Sequence, residues 1–246
     1  MPIENDKNKI LVIIGPTGSG KTGLAIEVAR KLGGEVISAD SRAIYVDMDI
    51  GTAKPMPEEM EGIPHFGIDL VKPGERFTVY EFQKYCRDKI SDIRSRGKLP
   101  IIAGGTGLYV DSIVYDYHFD HVVKKTCSDR TEMSSEFVVI GIKWDKDELR
   151  NRLTLRANKM FAQNIVGETK ALVDKYGWGS QAMKSNIYPI VWRYINGEIS
   201  EEEAKRQFIL DDWHLAKRQM TWFRRNKNII WLGLDECAEC IYNLYK

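Results

Sequence analysis

The chain is short of cysteine, of net charge and of long apolar runs. Its four cysteines, Cys86, Cys127, Cys237 and Cys240, suggest no disulfide framework and imply a reducing, cytoplasmic setting. Cys237-Ala-Glu-Cys240 is a lone C-x-x-C, whereas a zinc site needs four ligands. Two cysteines on a helix explain it without metal or redox chemistry. No apolar run approaches the roughly 20 residues of a membrane span. The polar start, Met1 to Lys9, reads as neither a signal peptide nor an anchor. Lysine plus arginine number 36 and aspartate plus glutamate 35, so any grip on nucleic acid must come from a local patch. Internal repeats and low-complexity tracts are missing too.

What is present is a pattern of alternation. Strand-like runs fall at 10–14, 34–39, 99–103, 137–142 and 228–232. Helical periodicity falls at 21–32, 78–96, 107–115, 145–162, 164–176, 181–195 and 200–225. This predicts an α/β fold: a mostly parallel sheet, helices on both faces, and a helix-rich C-terminal half. Residues 116–136 are polar and lack periodicity. They read as a surface loop dividing a first part, 1–115, from the remainder, 137–246.

Gly15-Pro16-Thr17-Gly18-Ser19-Gly20-Lys21-Thr22 fits G-x-x-x-x-G-K-[ST], a phosphate-binding loop between a strand and a helix. Gly18 and Gly20 let the backbone curl around phosphate oxygens. Lys21 brings a point charge to the terminal phosphate. Thr22 offers a hydroxyl to Mg²⁺, and Thr17 and Ser19 add hydroxyl donors. The same stretch contains Gly18-x-Gly20-x-x-Gly23, a dinucleotide-binding fingerprint with Asp40 near the ribose position. Lys21-Thr22 has no purpose in that fingerprint.

Asp40 ends the second strand, at the edge that lines the ligand crevice of open α/β sheets. A carboxylate there can hold Mg²⁺, act as a general base, or cap a helix. Gly104-Gly105-Thr106-Gly107 follows the strand at 99–103 and opens a helix. Its glycines permit close approach of a ligand, or make a tight turn. No strand ends in a metal-binding aspartate of the ATPase kind, which weighs against an ordinary nucleotide hydrolase.

In the last long helix, Arg218, Trp222 and Arg225 share one face. Lys217, Thr221 and Arg224 lie beside them, and Lys227 follows. Such a face suits a phosphate backbone and a stacked base, or is a solvated face with a packed Trp. Arg150, Arg152 and Arg156 form a second basic group. It can meet a diphosphate opposite Lys21, or pair with Asp145, Asp147 and Glu148 at the surface.

These strings together resemble the tRNA dimethylallyltransferase family. The likeness covers the phosphate loop, Ser38-Ala39-Asp40-Ser41-Arg42, Asp49-Ile-Gly-Thr-Ala-Lys-Pro55, Pro64-His65, Ile68-Asp69, Gly97-Lys-Leu-Pro100, Gly104-Gly-Thr-Gly-Leu-Tyr109, Leu149-x-x-Arg152-x-x-x-Arg156-x-x-x-Met160 and Ala216-Lys-Arg-Gln-Met-Thr-Trp-Phe-Arg224.

The resemblance implies a P-loop NTPase-like fold and transfer of a dimethylallyl group from its diphosphate to the exocyclic amino nitrogen of the adenosine 3′ of the anticodon. It implies Asp40 as general base and Thr106 as a contact to the target nucleotide. Gly15 to Thr22 and Arg152 hold the diphosphate, with Lys21, Mg²⁺ on Thr22, and Arg156 stabilising it as it leaves. Asp40, Ser41, Arg42, Ala43 and Thr106 contact the tRNA, as do Lys217, Arg218, Trp222, Arg224 and Arg225 on the basic helix. The expected state is a cytoplasmic monomer with no membrane contact. The alternatives are an ATP-dependent small-molecule kinase and a tRNA-binding relic without catalysis.

The chain departs from the family pattern in places. Ala43 stands for a glutamine and Phe66 for a histidine. Asn186-Ile-Tyr-Pro-Ile190 stands where the family has Ile-Gly-Tyr-Arg/Lys-Glu, and the helical insertion shrinks to the loop 116–136.

Overall fold

A computed structural model describes residues 8–119, 132–184 and 187–246. Its strands are β1 (Ile10–Ile14), β2 (Gly34–Ser38), β3 (His65–Phe66), β4 (Leu99–Gly104), β5 (Phe137–Ile142) and β6 (Ile230–Leu232). They form one sheet in the order β3-β2-β4-β1-β5-β6, every neighbouring pair parallel. The helices are α1 (Lys21–Leu32), α2 (Val79–Ser95), α3 (Gly107–Val114), α4 (Lys146–Ala162), α5 (Ile165–Tyr176), α6 (Tyr188–Ile195), α7 (Glu201–Phe223) and α8 (Leu234–Leu244).

The unbroken apolar run of β1 reflects burial on both faces. Ile10, Val12 and Ile14 pack toward Phe82, Cys86 and Ile90 of α2 and Val110 and Ile113 of α3. Leu11 and Ile13 pack toward Leu24 and Val28 of α1 and Cys237 and Ile241 of α8. A third core, with Met160, Leu172, Tyr188 and Phe208, joins α4 to α7. The sheet and the helical half meet above the carboxyl ends of the strands.

Most predicted elements form within a residue or two of their expected bounds. The strand at 228–232 shortens to Ile230–Leu232, and the helix from 181 starts at Tyr188, with Pro189 in its first turn. The two-residue β3 is too short to show a period, and α8 was not expected although Cys237, Ile241 and Leu244 recur at helical spacing and bury one face. Cys237 is fully buried and Cys240 partly buried, both on α8. Among the described residues no group of metal-ligating side chains is found. Of the loop 116–136, residues 120–131 lie outside the described residues.

Candidate active site

Three strand-to-helix connections converge at the carboxyl edge of the sheet. The phosphate loop follows β1, Asp40 follows β2, and Gly105-Thr106 follows β4. With α4 and α7 they line a cleft of about 1110 Å³. The strands are in register there, Ile14 beside Gly104 and Ser38 beside Ala103, so the three turns leave the sheet at nearly one level.

The phosphate loop is held in its curled form. Gly18 and Gly20 have φ of 76° and 86°, in the left-handed region. Gly20 caps α1, so the first N–H groups of that helix face the cleft. Trp144 donates its indole N–H to the Ser19 carbonyl at 2.9 Å. Gly23 needs no glycine: a Cβ there would meet open space. The third glycine of the dinucleotide fingerprint therefore has no packing role here.

Lys21 bends back and donates to the Pro16 carbonyl at 2.7 Å. Burial is the chief reason its pKa falls to about 8, with Arg156 adding to the fall and Asp40 and Asp212 opposing it. The two arginines of α4 also reach the loop. Arg152 donates from Nε to the Gly18 carbonyl at 2.7 Å, and its guanidinium lies over the Trp144 ring. Arg156 donates to the Thr17 hydroxyl and to Asp212 Oδ2, the latter at 2.9 Å. Both arginines thus face the phosphate loop, and neither pairs with Asp145, Asp147 or Glu148. Arg150 instead covers the Trp213 ring.

Asp212 is nearly buried and sits at the end of a chain from α7 through Arg156 to the loop. Burial pushes its pKa up while Arg156 pulls it down. Sequence inspection missed Asp212 because it reads as one more polar residue of an amphipathic helix. Gln219 was missed likewise. Its side chain accepts from the Thr17 N–H and donates to the Gly105 carbonyl.

On the opposite wall, Asp40 is half-buried and accepts the Arg42 N–H at 2.8 Å, leaving its second oxygen for a ligand or metal. Thr106 Oγ1 accepts the Ser41 N–H at 2.9 Å, and the Thr106 N–H bonds to the Ala39 carbonyl. The glycines of this turn admit the protein's own groups. A Cβ on Gly104 would sit 2.2 Å from the Ala39 carbonyl oxygen, one on Gly105 2.4 Å from Gln219, and one on Gly107 2.2 Å from the Trp222 ring. The close approach expected of a ligand is taken by Ala39, Gln219 and Trp222.

Two expected RNA contacts are partly or wholly packed against the protein itself. Ala43 is 5% exposed and its carbonyl accepts the Asp69 N–H, so it packs beneath the loop and offers RNA no polar side chain. Trp222 packs over Gly107 and donates its indole N–H to Asp111 at 2.8 Å. It is partly exposed and forms part of the cleft wall. Lys217, Arg218, Arg224, Arg225 and Lys227 are all exposed, and Arg218 borders the cleft.

The segment Asp49–Pro55 shapes the cleft floor. Lys54 is buried, with Asp49 and Asp69 as ion partners. Glu168 of α5 accepts the N–H groups of Asp49, Ile50 and Gly51, and the Tyr188 hydroxyl. Gly51 is needed beside that hydroxyl, where a Cβ would clash at 2.5 Å.

A parallel sheet carrying a P-loop, with cationic groups on one wall and a carboxylate on the other, defines a P-loop group-transfer enzyme. Comparison with known proteins narrows this. The family model described as IPP transferase matches residues 43–135 and 120–226, and that described as isopentenyl transferase matches 8–69. The chain is 37% identical to a tRNA dimethylallyltransferase of Acetivibrio thermocellus, over 93% of each chain. Among solved structures it resembles the full-length tRNA isopentenylpyrophosphate transferase of Bacillus halodurans, with TM-score 0.85 and 30% identity, covering 96% of this chain and 95% of that one. A tRNA Δ(2)-isopentenylpyrophosphate transferase of Staphylococcus epidermidis matches with TM-score 0.82 and 34% identity, covering 96% and 99%. The chain belongs to the tRNA dimethylallyltransferase family and is a prenyltransferase with a P-loop NTPase-like fold.

Proposed function

We propose that the protein transfers the dimethylallyl group of dimethylallyl diphosphate to the exocyclic amino nitrogen of the adenosine 3′-adjacent to the anticodon of tRNA. The observation that carries this is the facing of Lys21 and Asp40 across one cleft, close enough for their charges to interact. The diphosphate lies in the loop from Gly15 to Thr22, against Lys21, Arg152 and Arg156. The amino group lies against Asp40, with Thr106 contacting the nucleotide.

The amino nitrogen attacks the allylic carbon, forming the C–N bond. The C–O bond breaks and its electron pair leaves with the diphosphate. Asp40 takes the proton from nitrogen. An aromatic amine is a weak nucleophile, so a positioned carboxylate matters. Negative charge grows on the leaving oxygen, where the loop N–H groups and the cations are aimed. A base in a stacked anticodon loop must be turned out to reach this cleft.

The residues also fit Mg²⁺. Thr22 is exposed at the start of α1, and Asp40 keeps one oxygen free of the Arg42 N–H. Mg²⁺ prefers one or two protein oxygens plus phosphate and water. Thr22 would hold it beside the diphosphate, where it would neutralise charge on the leaving group.

The two segments matched by the IPP transferase model overlap at residues 120–135. The alignment to the Acetivibrio relative runs over 290 positions, more than this chain has, so that relative carries a segment with no counterpart here. The overlap supports the reading of 116–136 as a reduced insertion between 1–115 and 137–246, and the longer alignment is compatible with it. RNA grip then leans on the exposed basic face of α7. The chain acts as a cytoplasmic monomer in this reading; among the described residues no helix is long and apolar enough to cross a membrane.

The deciding assay mixes the protein with dimethylallyl diphosphate, Mg²⁺ and unmodified tRNA, and weighs the nucleosides by mass spectrometry. Prenylated adenosine is expected. ATP consumption with a small acceptor, or tRNA binding with no product, would replace this reading.

A further inference from the structure

Gln219 stands where the loops after β1 and β4 part company. Those strands are last in register at Ile14 and Gly104. Beyond that pair one chain turns into the phosphate loop and the other into the Gly-Gly-Thr-Gly turn. The Gln219 amide sits between them. Its Oε1 accepts the Thr17 N–H at 2.7 Å, and its Nε2 donates to the Gly105 carbonyl at 3.0 Å.

A carboxamide offers the same donor and acceptor as a peptide group. Gln219 therefore adds one side-chain rung to the ladder after the backbone ladder has ended. An N–H on one side and a C=O on the other fix which way the amide points. The space is reserved for it, since any side chain on Gly105 would strike Nε2.

The ends of the rung carry different halves of the chemistry. At one end, the Thr17 hydroxyl accepts from Arg156. At the other, Gly105 precedes Thr106, whose N–H and hydroxyl bond the Ala39 carbonyl and the Ser41 N–H on either side of Asp40. One side chain thus ties both turns to α7.

We propose that Gln219 is a positioning residue that sets the gap between the diphosphate cradle and the wall holding Asp40 and Thr106. This rests on the prenyl-transfer reading above. Transfer between two bound substrates needs the reacting atoms about 3–3.5 Å apart, and a displacement of about 1 Å costs roughly 100-fold in rate. The groups assigned to each substrate lie mainly on one side of the rung. Loosening the rung therefore lowers turnover and spares affinity.

The test uses the full chain as wild type, Q219L and Q219E. Q219L removes both hydrogen bonds at similar bulk. Q219E keeps the acceptor for Thr17 and, ionised, turns a second acceptor toward the Gly105 carbonyl. Three quantities are read for each: kcat with saturating dimethylallyl diphosphate and tRNA, separate dissociation constants for inorganic diphosphate and tRNA, and the melting curve. We expect kcat to fall about 10- to 100-fold in both variants. Both dissociation constants should stay within about threefold, well under one 1.4 kcal/mol step. A folded variant with wild-type kcat overturns the proposal. So does a loss of either affinity large enough to account for the fall. If neither variant folds, the rung serves stability alone and the proposal fails. Wild-type protein that transfers no prenyl group to tRNA removes the function reading instead, and this proposal with it.

Discussion

Asp40 and Lys21 carry the two residue-scale predictions. Asp40→Asn keeps an oxygen for the Arg42 N–H, which the native residue accepts at 2.8 Å, so the loop should hold its shape. It removes the base. Prenyl transfer should fall by about 10²- to 10⁴-fold, while the dissociation constant for inorganic diphosphate, read by calorimetry, stays near wild type. Lost diphosphate binding would make Asp40 a metal ligand instead of a base.

Lys21 gives a pH signature of defined sign. Its pKa is lowered to about 8, chiefly by burial, so the free protein carries the ammonium below that pH and loses it above. Diphosphate favours the charged form. Affinity should therefore hold up to about pH 7 and weaken as pH rises through 8, whereas Lys21→Arg should show no such decline. Calorimetric titrations from about pH 6.5 to 9.5 check it; equal pH profiles for the two proteins would remove Lys21 from the cradle.

At the scale of elements, α7 does two jobs with different faces. Ser200 caps its start, and three glutamates fill its first turn, favourable to the helix dipole. Ala204, Phe208, Trp213, Ala216 and Phe223 bury one stripe. Gln219 reaches the phosphate loop directly and Asp212 reaches it through Arg156. Arg218, and Arg225 just past the end of the helix, remain exposed, with Arg225 over the Trp222 ring. Reversing both charges should weaken tRNA binding across all sequences and lower the salt slope by about 1 for each phosphate no longer neutralised. Filter binding across a salt series reads this. A slope equal to wild type would move the RNA interface to another surface. Inorganic diphosphate affinity should barely change, because neither side chain touches the phosphate loop in this structure.

At the scale of the whole molecule, the cleft joins the sheet half to the helical half. The phosphate loop, Asp40 and Thr106 belong to the sheet, whereas Arg152, Arg156 and Gln219 come from α4 and α7. A diphosphate gripped from both sides should stabilise them as one unit. At about 100 times its dissociation constant it adds about 2.7 kcal/mol, or roughly 5–10 °C in Tm for a chain of this size. Calorimetry should show one transition moving up. A second transition indifferent to ligand would mean that α4 and α7 do not close on the diphosphate.

The sequence by itself determined the strand–loop–helix of the phosphate site, the parallel sheet and the position of Asp40. Each rests on local physics: an apolar run buried on both faces, glycines with positive φ, a charge at a strand end. It also marked Arg152 and Arg156, because one helical turn puts them side by side. Only the tertiary structure decided which polar residues of α7 matter. Asp212 and Gln219 look like any solvent-facing position until α7 lies against α4 and the loop after β4. It likewise decided that the glycines after β4 make room for Ala39, Gln219 and Trp222, that Trp222 is cleft wall, and that Ala43 is core. Periodicity reports which face of a helix is apolar. It carries no record of which distant backbone group a side-chain amide will meet, because that pairing exists only once the layers have packed.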